Sequence, residues 1–261
     1  MFNKIVTKIL RRTGYVLESR EEALKFGIDM RGVIPGPEPV MIYNYIGEHN
    51  TKPEKIYETF YEYCSLSNII PTISKSNTNI VRTELSIKLS QFGYNEPFIS
   101  IIAKFMEDKN STLWIDAEDY SKADYQLDMV KRLHEMGYSS VGLTIQLRHP
   151  LAISQAIECF KNDIKVRLCK GAYDSIRKNE DVLLIEKAET IVALDKKDGL
   201  LELATIRNPD LIMLAIKNKL PLQTLYGWHK KFLNHPYKLK IYVPFGTDWG
   251  PYIKRRVREI I

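Results

Sequence analysis

Two adjacent arginines, Arg255 and Arg256, stand near the start of a helical stretch that follows Gly250 and Pro251. Guanidiniums side by side offer bidentate forks for a carboxylate or a phosphate. The competing reading is a solvated helix face on which either arginine pairs with Glu259, at the three- or four-residue spacing that brings side chains together on a helix. Lys88, Asp116 and Arg167 are harder to assign to solvent. Each abuts an apolar run, and a charge that faces inward from such a run must be paired or put to use. A purely structural lysine–aspartate ion pair accounts for the same residues without function. No serine–histidine–aspartate or cysteine–histidine set stands out, so hydrolysis is not expected. The five histidines, His49, His134, His149, His229 and His235, read as structural.

The elements that must position these charges alternate in type. Short apolar and β-branched runs lie at Val40 to Ile46, Glu84 to Leu89, Leu113 to Ala117, Ser140 to Gln146, Lys165 to Cys169, Leu200 to Ala204, Leu220 to Tyr226 and Lys240 to Val243. Helical patterns separate them, such as Tyr125, Met129, Leu133 and Met136, or Leu183, Ile185, Ala188 and Val192. Strands alternating with helices imply parallel pairing, and eight such units close into a (β/α)₈ barrel of the TIM type. A single barrel domain is expected over residues 40–261, preceded by residues 1–39 as an N-terminal helical segment and linker. No GxGxxG or GxxxxGK[ST] turn follows any strand, so a dinucleotide would be held without a Rossmann turn.

In a barrel of this type chemistry gathers at the C-terminal strand ends. Those ends carry Gly47 and Glu48, Lys88, Asp116 and Glu118, Gln146 and Arg148, Arg167, Lys170 and Tyr173, Thr205 and Arg207, Gln223 and Tyr226, and Tyr242. The last helix adds Tyr252, Arg255, Arg256 and Glu259.

The 261 residues are 44% hydrophobic and 27% charged, ordinary values for a chain with a sizeable core. Cys64, Cys159 and Cys169 show no paired spacing, which argues against a disulfide framework or a zinc site and for a reducing, cytoplasmic setting. No metal is expected. The net charge of +6 suits an anionic cofactor or surface, but the basic residues are mixed with acids and no nucleic-acid-reading motif accompanies them. Residues 1–12 place Phe2, Ile5, Val6, Ile9 and Leu10 opposite Lys4, Lys8, Arg11 and Arg12. This is a basic amphipathic helix, packed on the barrel or lying on an anionic membrane surface.

The run Val166-Arg167-Leu168-Cys169-Lys170-Gly171-Ala172-Tyr173 resembles the VRLxKGAY motif of proline dehydrogenases. The segment from Tyr242 to Glu259 is similar to their YxPxG…WxxYxxRRxxE terminal motif. Shorter matches stand in the same order at Gly47-Glu48, Ser86-Ile87-Lys88-Leu89-Ser90, Ile115-Asp116-Ala117-Glu118, Gln146, Ala204-Thr205 and Gln223 to Gly227. Together they span about residues 40 to 261.

The resemblance implies a distorted β/α barrel that binds FAD without a covalent bond and oxidises L-proline to 1-pyrroline-5-carboxylate, with a quinone as the expected electron acceptor. It implies that Arg255, Arg256 and Lys88 hold the proline carboxylate, that Tyr242 and Tyr252 wall the ring, and that Asp116 supports this set. On the cofactor side it implies Arg167 beside the flavin N5 edge, Gln146 near the isoalloxazine, and Lys170, Ala172 and Tyr173 along the ribityl and diphosphate path, with Thr205 and Arg207 nearby. Glu48 is expected to pair with Arg167 when the site closes, and Glu259 to support it. A related dehydrogenase of another cyclic secondary amino acid such as hydroxyproline, or a barrel that binds flavin or proline without turnover, are the alternatives. The chain departs from the family after the sixth strand, where ATHN or ATHD gives way to Ala204-Thr205-Ile206-Arg207-Asn208. Ile206 makes no hydrogen bond, and Arg207 is expected to reach the diphosphate in compensation. The alternative is that Arg207 faces solvent and Asn208 caps the helix that begins at Pro209.

Overall fold

The computed structural model describes residues 16–30, 40–70, 82–171, 181–195, 199–205, 208–232, 238–248 and 250. Eight strands close into one barrel: β1 (Val40–Tyr45), β2 (Thr83–Ile87), β3 (Leu113–Ile115), β4 (Val141–Gln146), β5 (Lys165–Cys169), β6 (Leu201–Ala204), β7 (Leu222–Leu225) and β8 (Leu239–Phe245). All neighbours pair in parallel, and β8 closes on β1 through Val40↔Lys240 to Tyr45↔Phe245. The expected (β/α)₈ barrel is therefore present, each strand within a few residues of its expected bounds.

Seven α-helices are described: α1 (Arg20–Asp29), α2 (Pro53–Ile69), α3 (Glu96–Asp108), α4 (Ala123–Glu135), α5 (Ala152–Lys161), α6 (Asp181–Leu194) and α7 (Pro209–Lys217). Their starts follow from the sequence locally. Ser19, Asn95 and Asn208 cap α1, α3 and α7 by accepting backbone N–H bonds, and proline in the first turn of α2, α3 and α7 gives up a donor that has no partner there anyway. None of the described helices is long and apolar enough to cross a membrane. The N-terminal amphipathic stretch lies outside the described residues.

Two helix faces differ from the expected ones. On α4 the buried row is Gln126, Met129, Val130 and Leu133, while Tyr125 and Met136 are exposed. Tyr125 instead meets the edge of Tyr94, with the Arg132 guanidinium over its ring, and Met136 lies beyond the last full turn. On α6 Leu184, Ala188 and Ile191 are buried and Leu183 is exposed, because the row at i, i+4 and i+7 from Leu184 faces the sheet.

The strands divide their side chains by parity, as the period of two demands. One set packs under the helices in a single aliphatic cluster, including Leu85, Ile87, Leu113, Ile115, Val141, Leu143, Ile145, Val166, Leu168, Leu201, Leu203, Leu222, Ile241 and Val243. The other set points into the barrel and is charged or polar: Glu84, Ser86, Trp114, Asp116, Thr144, Gln146, Arg167, Glu202, Gln223 and Lys240 are all buried. Barrel interiors of this kind are usually filled by branched aliphatic side chains. The interior here carries charge instead, and each charge needs its counterpart.

Candidate active site

Arg167, at the middle of β5 and 2% exposed, is the centre of the upper interior. Its guanidinium donates to Thr144 Oγ1 at 2.9 and 2.6 Å, to Ser86 Oγ at 3.0 Å and to Gln223 Oε1 at 3.3 Å, and it is paired with Asp116. Asp116 in turn accepts the Tyr242 hydroxyl at 2.6 Å. One carboxylate thus holds two side chains from different strands, Arg167 on β5 and Tyr242 on β8. The guanidinium also lies over the rings of Trp114 and Tyr242, 5.1 and 5.7 Å from their centroids. The five donors of arginine suit this setting, because no single partner could satisfy them.

At the mouth, Lys88 forms an ion pair with Glu48 at 3.2 Å, so Glu48 meets Lys88 and the carboxylate on Arg167 is Asp116. Gln146 donates Nε2 to the Glu118 carbonyl at 2.8 Å, while its Oε1 is buried without a partner among the described residues. Gly171, with φ +101°, lies so close that a Cβ there would meet Gln146 Oε1 at 3.1 Å. An orphaned acceptor beside a side-chain-free stretch of backbone fits a planar ligand edge that brings an N–H donor, as an isoalloxazine does. Lys170 accepts from the Arg148 backbone at 3.3 Å, keeping the strand ends of β4 and β5 together. Thr205 Oγ1 accepts from the Asn208 backbone at 3.3 Å, and Asn208 Oδ1 receives the N–H groups of Asp210 and Leu211, both at 3.0 Å. Asn208 therefore caps α7. Arg207, Ala172, Tyr173, Tyr252, Arg255, Arg256 and Glu259 lie outside the described residues.

Below Arg167 sits a second charged layer that the motif reading missed. Lys240 Nζ lies 2.5 Å from Glu84 Oε1 and 2.5 Å from Glu202 Oε1. Trp114 Nε1 donates to Glu84 Oε2 at 2.7 Å, and Gln223 Nε2 to Glu202 Oε2 at 2.5 Å. Burial alone would push the Lys240 ammonium down, but the two carboxylates outweigh it and hold it above its ordinary value. Burial likewise opposes the Glu84 carboxylate, and Lys240 with the indole donor brings it below the usual range. Gly142 makes room for the indole, since a Cβ there would meet Trp114 Cζ3 at 2.7 Å. The signal was available in the runs ELSIK, LELA and KIYV, where a charge falls on the inward parity of each strand.

An eight-stranded parallel barrel whose interior is lined by charge is the class that fold and site define. The model of one family, proline dehydrogenase, matches residues 37–180. The chain belongs to the proline dehydrogenase family. It is 26% identical over 245 residues to proline dehydrogenase 1 of Bacillus subtilis (strain 168), covering 83% of this chain and 76% of that protein. The proline dehydrogenase of Deinococcus radiodurans is 24% identical over 243 residues, with 82% and 76% covered. Among solved structures, proline utilization A from Bdellovibrio bacteriovorus inactivated by N-propargylglycine superposes with a TM-score of 0.75 at 18% identity, and a Bradyrhizobium japonicum proline utilization A variant with 0.72 at 20%. These cover 95% of this chain but only 32% and 30% of theirs. At such identity the likeness bears on the fold.

Proposed function

We propose that this protein oxidises L-proline to 1-pyrroline-5-carboxylate with FAD as its cofactor. The observation that carries this reading is the family match over residues 37–180, a span that contains Lys88, Asp116, Gln146 and Arg167. Oxidation removes a hydride from the ring carbon beside nitrogen and a proton from the nitrogen, leaving a carbon–nitrogen double bond; bound FAD supplies the two-electron acceptor. The protein's own work is positioning and charge placement.

In this reading Lys88, Arg255 and Arg256 bind the proline carboxylate, and Glu48 holds Lys88 before substrate arrives. Tyr242 and Tyr252 wall the ring, with the Tyr242 hydroxyl anchored by Asp116. Gln146 and Arg167 face the isoalloxazine, Lys170, Ala172 and Tyr173 follow the rest of the cofactor with Thr205 and Arg207, and Glu259 supports the arginine pair. The fixed Arg167–Asp116–Tyr242 array supports these roles, since a guanidinium already ordered loses little freedom when a ligand binds. Electrons leave to a quinone, and the basic amphipathic stretch of residues 1–12 supports a peripheral membrane association of an otherwise cytoplasmic protein.

Anaerobic addition of millimolar L-proline to the FAD-loaded protein should bleach the flavin absorbance, and an unchanged spectrum would overturn the reading. Arg255→Ala or Arg256→Ala should raise KM for proline while sparing FAD affinity. Equal sedimentation with anionic vesicles of the full chain and of a chain without residues 1–12 would remove the membrane proposal.

A further inference from the structure

Lys240 is not in contact with Arg167, yet two of the contacts that hold Arg167, those of Gln223 and Trp114, lead back to it. The first route runs through Glu202, whose Oε1 meets Lys240 and whose Oε2 accepts from Gln223 Nε2. Gln223 then turns its Oε1 to Arg167 at 3.3 Å. The second runs through Glu84, bound to Lys240 by one oxygen and to the Trp114 N–H by the other. Trp114 presents one indole to both cations, with Arg167 Cζ 5.1 Å and Lys240 Nζ 5.6 Å from a ring centroid.

A buried amide has two orientations of nearly equal shape and opposite polarity. Flipped, Gln223 would set an NH₂ group against the Arg167 guanidinium, donor against donor. The Glu202 carboxylate accepts from Gln223 Nε2, which selects the orientation that sends Oε1 upward. Lys240 lies against that carboxylate, its ammonium on Oε1. The same ammonium keeps Glu84 ionised, and Glu84 fixes the rotation of the indole through its N–H. Gly142 leaves the indole its space.

We propose that Lys240, acting through Glu202 and Glu84, is a positioning residue that, together with the direct Asp116 pair, sets the orientation of Arg167. It does so by fixing the Gln223 amide and the Trp114 indole beneath the guanidinium. The inference deepens the functional reading above and rests on Arg167 bordering the reaction centre.

The decisive comparison uses the FAD-loaded full chain with Glu202→Gln, Gln223→Glu, the pair of these together, Gln223→Met and Arg167→Lys. Each is followed by unfolding midpoint, FAD affinity from flavin fluorescence, and kcat and KM for proline with a dye acceptor. Glu202→Gln should lower kcat/KM by about tenfold to a hundredfold, mostly in kcat, because the guanidinium is misplaced rather than removed. The exchanged pair should recover to within about threefold. In it the amide accepts from Lys240 and donates upward, and the carboxylate at position 223 accepts from Arg167, so the polarity of the route is restored. Gln223→Met leaves the ion cluster whole and should show the same loss, which keeps the test intact if Glu202→Gln fails to fold. In the Arg167→Lys background Glu202→Gln should cost less than about threefold, as coupled residues lose additivity.

Wild-type kcat/KM in Gln223→Met, or an exchanged pair no better than Glu202→Gln alone, would overturn the positioning role while leaving Arg167 in place. Wild-type kinetics and FAD affinity in Arg167→Lys would instead overturn the assignment of Arg167 and the inference with it.

Discussion

The two charged layers inside the barrel differ in how completely they are satisfied. In the lower layer every carboxylate oxygen of Glu84 and Glu202 has a donor, and Lys240, at 2% exposed, lies between them. In the upper layer Arg167 is held by four side chains, but towards the mouth Gln146 Oε1 and Glu118 Oε2 are buried without partners among the described residues. Carboxylates whose oxygens all have donors have no acceptor left to offer a ligand, whereas an orphaned acceptor at a barrel mouth is worth about 1–3 kcal/mol to whatever satisfies it. The lower layer therefore fixes geometry and the upper layer keeps capacity in reserve.

The sharpest way to break this contrast is Lys240→Met. Removing the shared ammonium leaves two buried carboxylates facing each other, and a buried pair broken on one side costs about 3–5 kcal/mol. Urea unfolding should show that loss; a variant within about 1 kcal/mol of the native protein would mean that the lower layer is not closed in solution. Gly142→Ala comes next, because its methyl group would press on Trp114, which links the layers. Overpacking of this kind costs about 1–3 kcal/mol, and it should shift the indole fluorescence; an unshifted emission with full stability would show that the indole has room to spare.

Tyr242→Phe probes the upper layer alone. It deletes one hydrogen bond to Asp116 and should leave the unfolding midpoint almost unchanged while raising KM for proline by up to about tenfold. If stability falls and KM stays put, the roles of the two layers are reversed.

The smallest effect concerns pH and the flanks of the barrel. Burial lowers both His149 and His229 below the ordinary 6.5, and each uses Nδ1 to accept a backbone N–H, from Leu151 at 3.2 Å and Gly227 at 3.3 Å. The unfolded chain takes up protons that the folded one refuses, so this part of the stability is complete above 6.5 and is lost as pH falls through it. The unfolding midpoint should drop between pH of about 7.5 and about 5.5, with a shallower slope in His149→Gln. An equal slope in the variant would assign the drop to other groups.

Much of the fold was legible in the sequence because the strand period is short and local. Runs such as VGLTIQ and KVRLC bound themselves, and α7 announces its start through Asn208 and Pro209. The helix faces were less legible: on α4 Met129 and Leu133 of the expected row are buried, but Tyr125 and Met136 at its ends are exposed, since an apolar side chain at a helix edge can also cover a neighbour. The motif residues Lys88, Asp116, Gln146 and Arg167 could be named from sequence, but not their partners. Glu48, expected to reach Arg167 when the site closes, pairs with Lys88 in this structure.

By itself, then, the sequence determined the order of elements, the parity that sends Glu84, Asp116, Arg167, Glu202 and Lys240 inward, and the resemblance to the proline dehydrogenases. Only the tertiary structure decided which charge meets which. Lys240 finds Glu84 across 156 positions of chain and Glu202 across 38. Strand parity gives the face on which a side chain lies, but the neighbours on that face follow from how the strands are staggered when the sheet closes, and that stagger is a property of the whole barrel.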